Sequence, residues 1–424
     1  MKCSYSILLL SALVFNACNK PPAHPKIDPD NLVFQILEER KETFGEVLSD
    51  LEKFEVQILY TQIDRDQENA PKFTSHAFRL DESRYFYPAS TVKFPAALLA
   101  LEKLNDLKIG SLTKFASLKI DSAYHGQTAV LHDSTAESGL PSIAHYIKKI
   151  MLVSDNDAFN RLYEFVGQRA LNERLWKKGY KNLLLTHRLS VGLPPEQNRC
   201  TNPMTFYQND QILYEQALVC NEHVYENNLQ GLRKGLAHYA KGELVEEPMD
   251  FSKSNFFSLA DQQNIMKALF FPSTVSDSAK FRLTDADYQF LYKYMSMTPG
   301  ESRFPSYDAA KYYDGYVKFF MFGDSEEKTP KHIRVFNKVG MAYGYLTDNA
   351  YIVDFENKIE FLLSATIHVN ANQTFNDDNY EYDEIGIPFL ANLGRAVYEY
   401  ELNRKREFRP NLERFKVDYQ SADR

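Results

Sequence analysis

Apolar residues fall at helical spacing in some stretches of this chain and at strand spacing in others. Phe94, Ala97, Leu98, Leu101 and Leu104 lie on one face of a 3.6-residue repeat, so a helix starts close to Ser90. Ile143, Ile147, Ile150 and Met151 make a second stripe. It breaks at Ser154-Asp155-Asn156, residue types that cap helices, and resumes with Ala158 and Leu162. Residues 30–53 predict one amphipathic helix. Asp261–Leu269 and Thr284–Met297 predict two more, and Tyr380–Arg404 predicts a loop that turns into a C-terminal helix. Glu55–Asp64 and Phe73–Leu80 predict the first two strands. Ile333, Val335 and Phe336, then Ala350–Phe355 and Ile359–Val369, predict a β-meander with a turn at Glu356-Asn357-Lys358 and a first strand ending at Lys338. Between Ser90 and Pro203 the pattern is mostly helical, with Gln127–Gly139 irregular and Arg188–Pro203 a loop rich in Pro, Gly and Asn. Residues 207–252 read as helical in pieces, Tyr307–Lys331 as an aromatic and charged insertion, and 405–424 as a polar tail.

The fold class that follows is α/β in the α+β sense. An antiparallel sheet built from residues 30–85 and 332–404 is flanked by helices and joined to a helical region at 86–331. That region carries insertions at about 207–252 and 307–331. With 424 residues, 44% of them hydrophobic, the chain can bury a sizeable core. The net charge of −8 is spread over mixed acidic and basic residues, and no basic stripe argues for a nucleic-acid partner.

The N-terminus has the pattern of a processing segment. Lys2 precedes an apolar run, Ile7–Phe15, that is too short to span a bilayer and closes at Ala17-Cys18. Residues 1–18 therefore read as an export signal. The small residue before Cys18 resembles the lipobox of bacterial lipoproteins, although Phe15 stands where Leu is usual and Asn16 is polar. That resemblance implies a lipidated Cys18, a membrane anchor, a Pro-rich tether over 19–29, and a periplasmic or outer-envelope location. In such a compartment Cys200 and Cys220 either pair or stay free and buried.

Three strings carry the chemistry: Ser90-Thr91-Val92-Lys93, Ser154-Asp155-Asn156 and Lys338-Val339-Gly340. Other S-x-x-K strings start at Ser111 and Ser325, but only Ser90 opens an apolar helix, which brings Lys93 one turn away onto the same face. A serine hydroxyl is a weak nucleophile until a base takes its proton, and a neutral lysine can be that base. The strings, in this order, resemble those of the active-site-serine superfamily of β-lactamases and penicillin-binding proteins, closest to the class A β-lactamase branch. The likeness spans roughly residues 50 to 405, apart from the insertion at 207–252.

The resemblance implies a serine hydrolase that forms an acyl-enzyme on an amide or β-lactam, without metal or cofactor. Ser90 would be the nucleophile, Lys93 its base and Ser154 the proton relay. The backbone N–H groups of Ser90 and Met341 would form the oxyanion hole. Asn156 would bind the substrate amide, and Lys338 with Gly340 would form the carboxylate clamp. Val339 cannot donate the hydroxyl hydrogen bond that Thr gives there in the family. A second departure lies in the loop Arg188–Pro203. Class A enzymes carry a glutamate shortly after the arginine to activate the deacylating water, whereas Leu189, Ser190, Val191 and Gly192 follow Arg188 here, and Glu196 is offset. Three readings follow: an efficient β-lactamase, a D-alanyl-D-alanine peptidase acting on peptidoglycan-type amides, and a lipid-anchored binding protein with little turnover. For the anchor, metabolic labelling with a palmitate analogue should mark the protein and Cys18→Ser should abolish the label; an unlabelled, freely soluble wild type would refute it.

Overall fold

The computed structural model describes residues 28–123 and 128–421. The signal segment, Cys18 and nearly all of the tether lie outside the described residues. Five strands make the main sheet: β1 (Gln57–Arg65), β2 (Pro71–Phe78), β3 (Ile333–Ala342), β4 (Tyr345–Asp354) and β5 (Ile359–His368). Their order is β3-β4-β5-β1-β2 and every pairing is antiparallel. The early hairpin and the late meander therefore share one sheet, joined where β1 pairs with β5.

Strand side chains alternate between the two faces of a sheet. On β3, Val335 and Val339 enter one apolar core while Phe336 enters the other. Lys338 shares the parity of Phe336 and so faces the helical region. The strand does not end at Lys338, as the pattern predicted. It pairs on to Ala342↔Tyr345, and the turn is Tyr343-Gly344, both at positive φ (55° and 78°). Two such residues make the tight turn whose twist matches a hairpin, so β3 runs past the lysine with Gly340 and Met341 still in register.

Helices cover both faces. α1 (Leu32–Glu38) and α2 (Lys41–Ser49) pack on one face with the C-terminal helix Ile387–Asn403. The single helix predicted over 30–53 is thus two. Arg40 leaves helical geometry (φ −122°, ψ 39°), and its guanidinium donates to Ile36 O at 3.3 Å and to Glu399 at 2.8 Å. The other face meets the helical region: α3 (Lys93–Leu107), α4 (Ile143–Val153), α5 (Asn156–Val166), α6 (Gln168–Lys177), α7 (Leu259–Phe270) and α8 (Asp285–Ser296).

Two further expectations need correction. Residues 207–252 are not helical. They form short strands, including the hairpins Met204–Gln208 with Gln211–Gln216 and Ala237–Ala240 with Glu243–Val245. The turns Asn209-Asp210 and Lys241-Gly242 sit entirely at positive φ, which stops a helix and closes a hairpin. The region after 404 is no free polar tail. Leu412 and Phe415 are buried, and Phe415 packs against Tyr351, Tyr292 and Phe270. Burying such a side chain contributes roughly 1.5–3 kcal/mol. Cys200 and Cys220 form a disulfide, closing the loop that ends at Pro203 onto the first of these hairpins.

Candidate active site

Ser90 lies in a single 3₁₀ turn, Ala89–Val92, that leads directly into α3. Ala89, just before it, has φ 45°, a backbone conformation that costs a non-glycine residue on the order of 1–3 kcal/mol and is met at functional sites. β3 lies against this turn. A Cβ on Gly340 would come within 2.5 Å of Pro88 O and 3.2 Å of Ser90 N, so only glycine lets the strand approach. Met341 follows on the same strand and is half exposed.

The helical break supplies the next residues. Ser154, at φ 59°, terminates α4 in left-handed geometry, and Asp155 caps α5 by accepting from Ala158 N at 2.7 Å. This helix-to-helix corner aims the Ser154 hydroxyl and the Asn156 amide at Lys93. The Lys93 amine, fully buried, donates to Ser154 O and to Asn156 Oδ1 (2.6 Å) and stands 3.3 Å from Ser154 Oγ. Lys338 Nζ reaches across from β3 to Ser154 Oγ at 2.8 Å and to Val339 O at 2.8 Å. Ser154 Oγ therefore sits between two amines. Among the described residues Ser90 Oγ makes no hydrogen bond.

Burial sets the protonation of both lysines. Desolvation, followed by the nearby Lys338 charge, holds Lys93 well below the ordinary lysine range, and Asp155 opposes this only in part. Lys338 is brought down to about 7 by burial, with Asp348 opposing and Lys318 assisting. A neutral amine has two N–H donors and one lone pair. Ser154 O and Asn156 Oδ1 use both donors of a neutral Lys93, which leaves the lone pair to accept a hydroxyl proton.

The loop after Arg188 closes this side. Arg188, almost wholly buried, donates to Glu164 at 3.0 Å and to Cys200 O at 2.7 Å. Asn160 clamps both the N–H and the C=O of Leu189 (2.8 and 2.9 Å). Ser190, at φ 54°, accepts from Asn156 Nδ2 at 2.7 Å. Glu196 sits exposed in the turn Pro195–Asn198. Among the described residues no carboxylate hydrogen-bonds to Lys93, Ser154 or Asn156, and no group of three His, Cys, Asp or Glu is placed to hold a metal ion.

The sequence profile of the beta-lactamase enzyme family matches residues 39–400. The chain belongs to the beta-lactamase enzyme family. Its fold is that of the β-lactamases, and it is a serine hydrolase of the β-lactamase type. Solved structures similar to it include a β-lactamase from Sphaerobacter thermophilus DSM 20745, at 12% identity over 85% of this chain and 97% of that one, TM-score 0.44. Others are a β-lactamase from Xanthomonas campestris pv. campestris (14%, 86% and 98%, TM-score 0.45) and PBP-A (13%, 89% and 97%, TM-score 0.48). No curated protein matches the sequence significantly.

Lys93, Ser154, Asn156 and Lys338 are thus joined by hydrogen bonds, Gly340 lies against the Ser90 turn, and Met341 follows Gly340 on the same strand. Sequence reasoning missed two features. Ser190 is one, and the only signal for it was its place two residues after Arg188. The buried pair Lys318 and Asp348 is the other. Asn337 bridges these two, accepting from Lys318 Nζ and donating to Asp348 Oδ1, both at 2.8 Å. Nothing in the sequence distinguishes Lys318 or Asp348 from surface charges. Breaking a buried ion pair by removing one partner costs about 3–5 kcal/mol. Arg188→Met should therefore lower stability by about that much in urea unfolding; a loss below about 1 kcal/mol would show that the Arg188–Glu164 pair does not secure the loop.

Proposed function

We propose that the protein is an exported, lipid-anchored serine acyl-transfer enzyme that takes a β-lactam or a peptidoglycan-type amide and releases the acyl group slowly. The observation that carries this reading is the Ser154 hydroxyl held between the Lys93 and Lys338 amines. In the acylation step the Lys93 lone pair takes the Ser90 proton as Oγ attacks the carbonyl carbon. The oxyanion forms against the N–H groups of Ser90 and Met341, donors of a kind that contribute about 3–4 kcal/mol. As the carbon–nitrogen bond breaks, Ser154 passes its proton to the leaving nitrogen and takes one from the Lys93 ammonium 3.3 Å away, which returns Lys93 to its neutral form, while Lys338 donates to the Ser154 oxygen. Asn156 binds the amide of the substrate. Lys338 attracts its carboxylate without the help of a hydroxyl at Val339.

Release needs a water and a base. In the stretch after Arg188, where class A enzymes carry a glutamate, Leu189, Ser190, Val191 and Gly192 offer no carboxylate; Ser190 is engaged with Asn156, and Glu196 is exposed in its own turn. A serine cannot activate water as a carboxylate does. Losing a general base slows a step by about 10²–10⁴-fold. This favours the peptidase or penicillin-binding reading over efficient β-lactamase activity. The mass of the intact protein, followed after mixing with benzylpenicillin, should show one adduct that persists while free drug remains, and peptide mapping should place it on Ser90. Fast turnover without a detectable adduct, or an adduct on Ser111 or Ser325, would overturn the proposal.

A further inference from the structure

Behind the catalytic cleft, at the far end of α5, lies a cavity of about 700 Å³ whose lining includes Lys103, Glu164, Arg199, Tyr214 and Gln216. Asn156 begins α5 in the cleft and Glu164 and Val166 end it at this cavity, about 12–15 Å away along the helix axis at 1.5 Å per residue. The hairpin Met204–Gln208/Gln211–Gln216 supplies Tyr214 and Gln216, so the insertion builds part of the wall.

The charges in this wall are unbalanced. Glu164 is matched by Arg188 and Glu173 by Arg169 at 2.7 Å, and Glu222 acts on the same Arg169. Arg174 is matched by Asp106 at 2.8 Å. Lys103 and Arg199, by contrast, have no ion-pair partner among the described residues. The Lys103 amine is packed over the Phe165 ring and donates only to neutral oxygens, those of Phe165 O and the Gln216 amide. An ammonium has three donors, so one is left over. Burial, with Arg174 nearby, brings Lys103 to about 8, so at neutral pH it still carries most of its charge. The Arg199 guanidinium, half-buried at the rim, makes no hydrogen bond among the described residues. A sequestered cation without a counter-ion is costly, and a ligand oxyanion relieves that cost through charge-assisted hydrogen bonds. The volume falls within the range of small-molecule sites.

We infer that this cavity is a second ligand site, distinct from the catalytic cleft, which binds a small oxyanion, carboxylate or phosphate, between the Lys103 amine and the Arg199 guanidinium. The full-length protein should be titrated calorimetrically at pH 7 and constant ionic strength, with inorganic phosphate in one arm and succinate in the other. Saturable one-to-one binding of at least one probe is expected, with the tighter probe identifying the oxyanion. Lys103→Met should weaken it at least tenfold. Should Lys103→Met fail to fold, Arg199→Gln at the rim carries the same expectation. Three results would overturn the inference: no saturable binding of either probe up to about 50 mM, a Kd already far weaker than millimolar; binding that sodium chloride reproduces; or binding that survives both substitutions and disappears in Lys338→Met, which would place the anion at the catalytic site.

Discussion

Two buried lysine amines converge on one serine hydroxyl, and the rest of the cleft is arranged around the cost of holding them there. Removing an ammonium from water costs on the order of several kcal/mol even after the protein relaxes. Two of them near one atom also repel. The fold meets this cost mainly by lowering the pKa of both amines rather than by matching them with carboxylates. Lys93 is satisfied by two carbonyl-type oxygens, Ser154 O and Asn156 Oδ1, and Lys338 by Val339 O and Ser154 Oγ. The same desolvation that makes the amines expensive as cations favours the neutral form of Lys93, the form the proposed mechanism needs.

That requirement explains the local backbone. Ala89, Ser154 and Ser190 all sit at positive φ, each next to or within the set of groups that meet around Lys93. A straight helix through 143–166 would carry Ser154 and Asn156 on different faces. The left-handed residue at the corner turns them together. Gly340 lets β3 press on the Ser90 turn, which brings Lys338 within reach of Ser154 from a different part of the chain. The strain is local and is held by tightly packed surroundings: the cap of Asp155 on α5, the Asn160 clamp on Leu189, and the buried pair of Arg188 and Glu164.

Much of this was legible in the sequence. The apolar stripe after Ser90 separates it from Ser111 and Ser325. The interruption between two helical stripes marks Ser154-Asp155-Asn156 as a corner. The apolar runs around Lys338 place that residue on a strand. What escaped had no periodic signal. The hairpins at 204–216 and 237–245 are short, and their turn pairs Asn209-Asp210 and Lys241-Gly242 are flanked by strands too brief to alternate clearly. The split between α1 and α2 falls at Arg40, whose non-helical backbone has no signal in the apolar pattern and whose guanidinium meets Glu399, far away in sequence. Phe415 looked like part of a polar tail because its partners, Tyr351 and Tyr292, lie in other elements. Lys318 and Asp348 interact through Asn337, and only tertiary structure brings them together.

The proposed chemistry requires Lys93 to be a neutral amine, held so by its burial and by Lys338. Lysine ¹³Cε chemical shifts in isotopically labelled protein, followed through a pH titration and assigned with Lys93→Arg, measure this without any substrate. The Lys93 signal should titrate well below the surface lysines, and Lys338→Met should move it to higher pH, because removing a neighbouring positive charge eases protonation. A Lys93 signal that titrates with the surface lysines, or one that Lys338→Met leaves in place, would contradict the account.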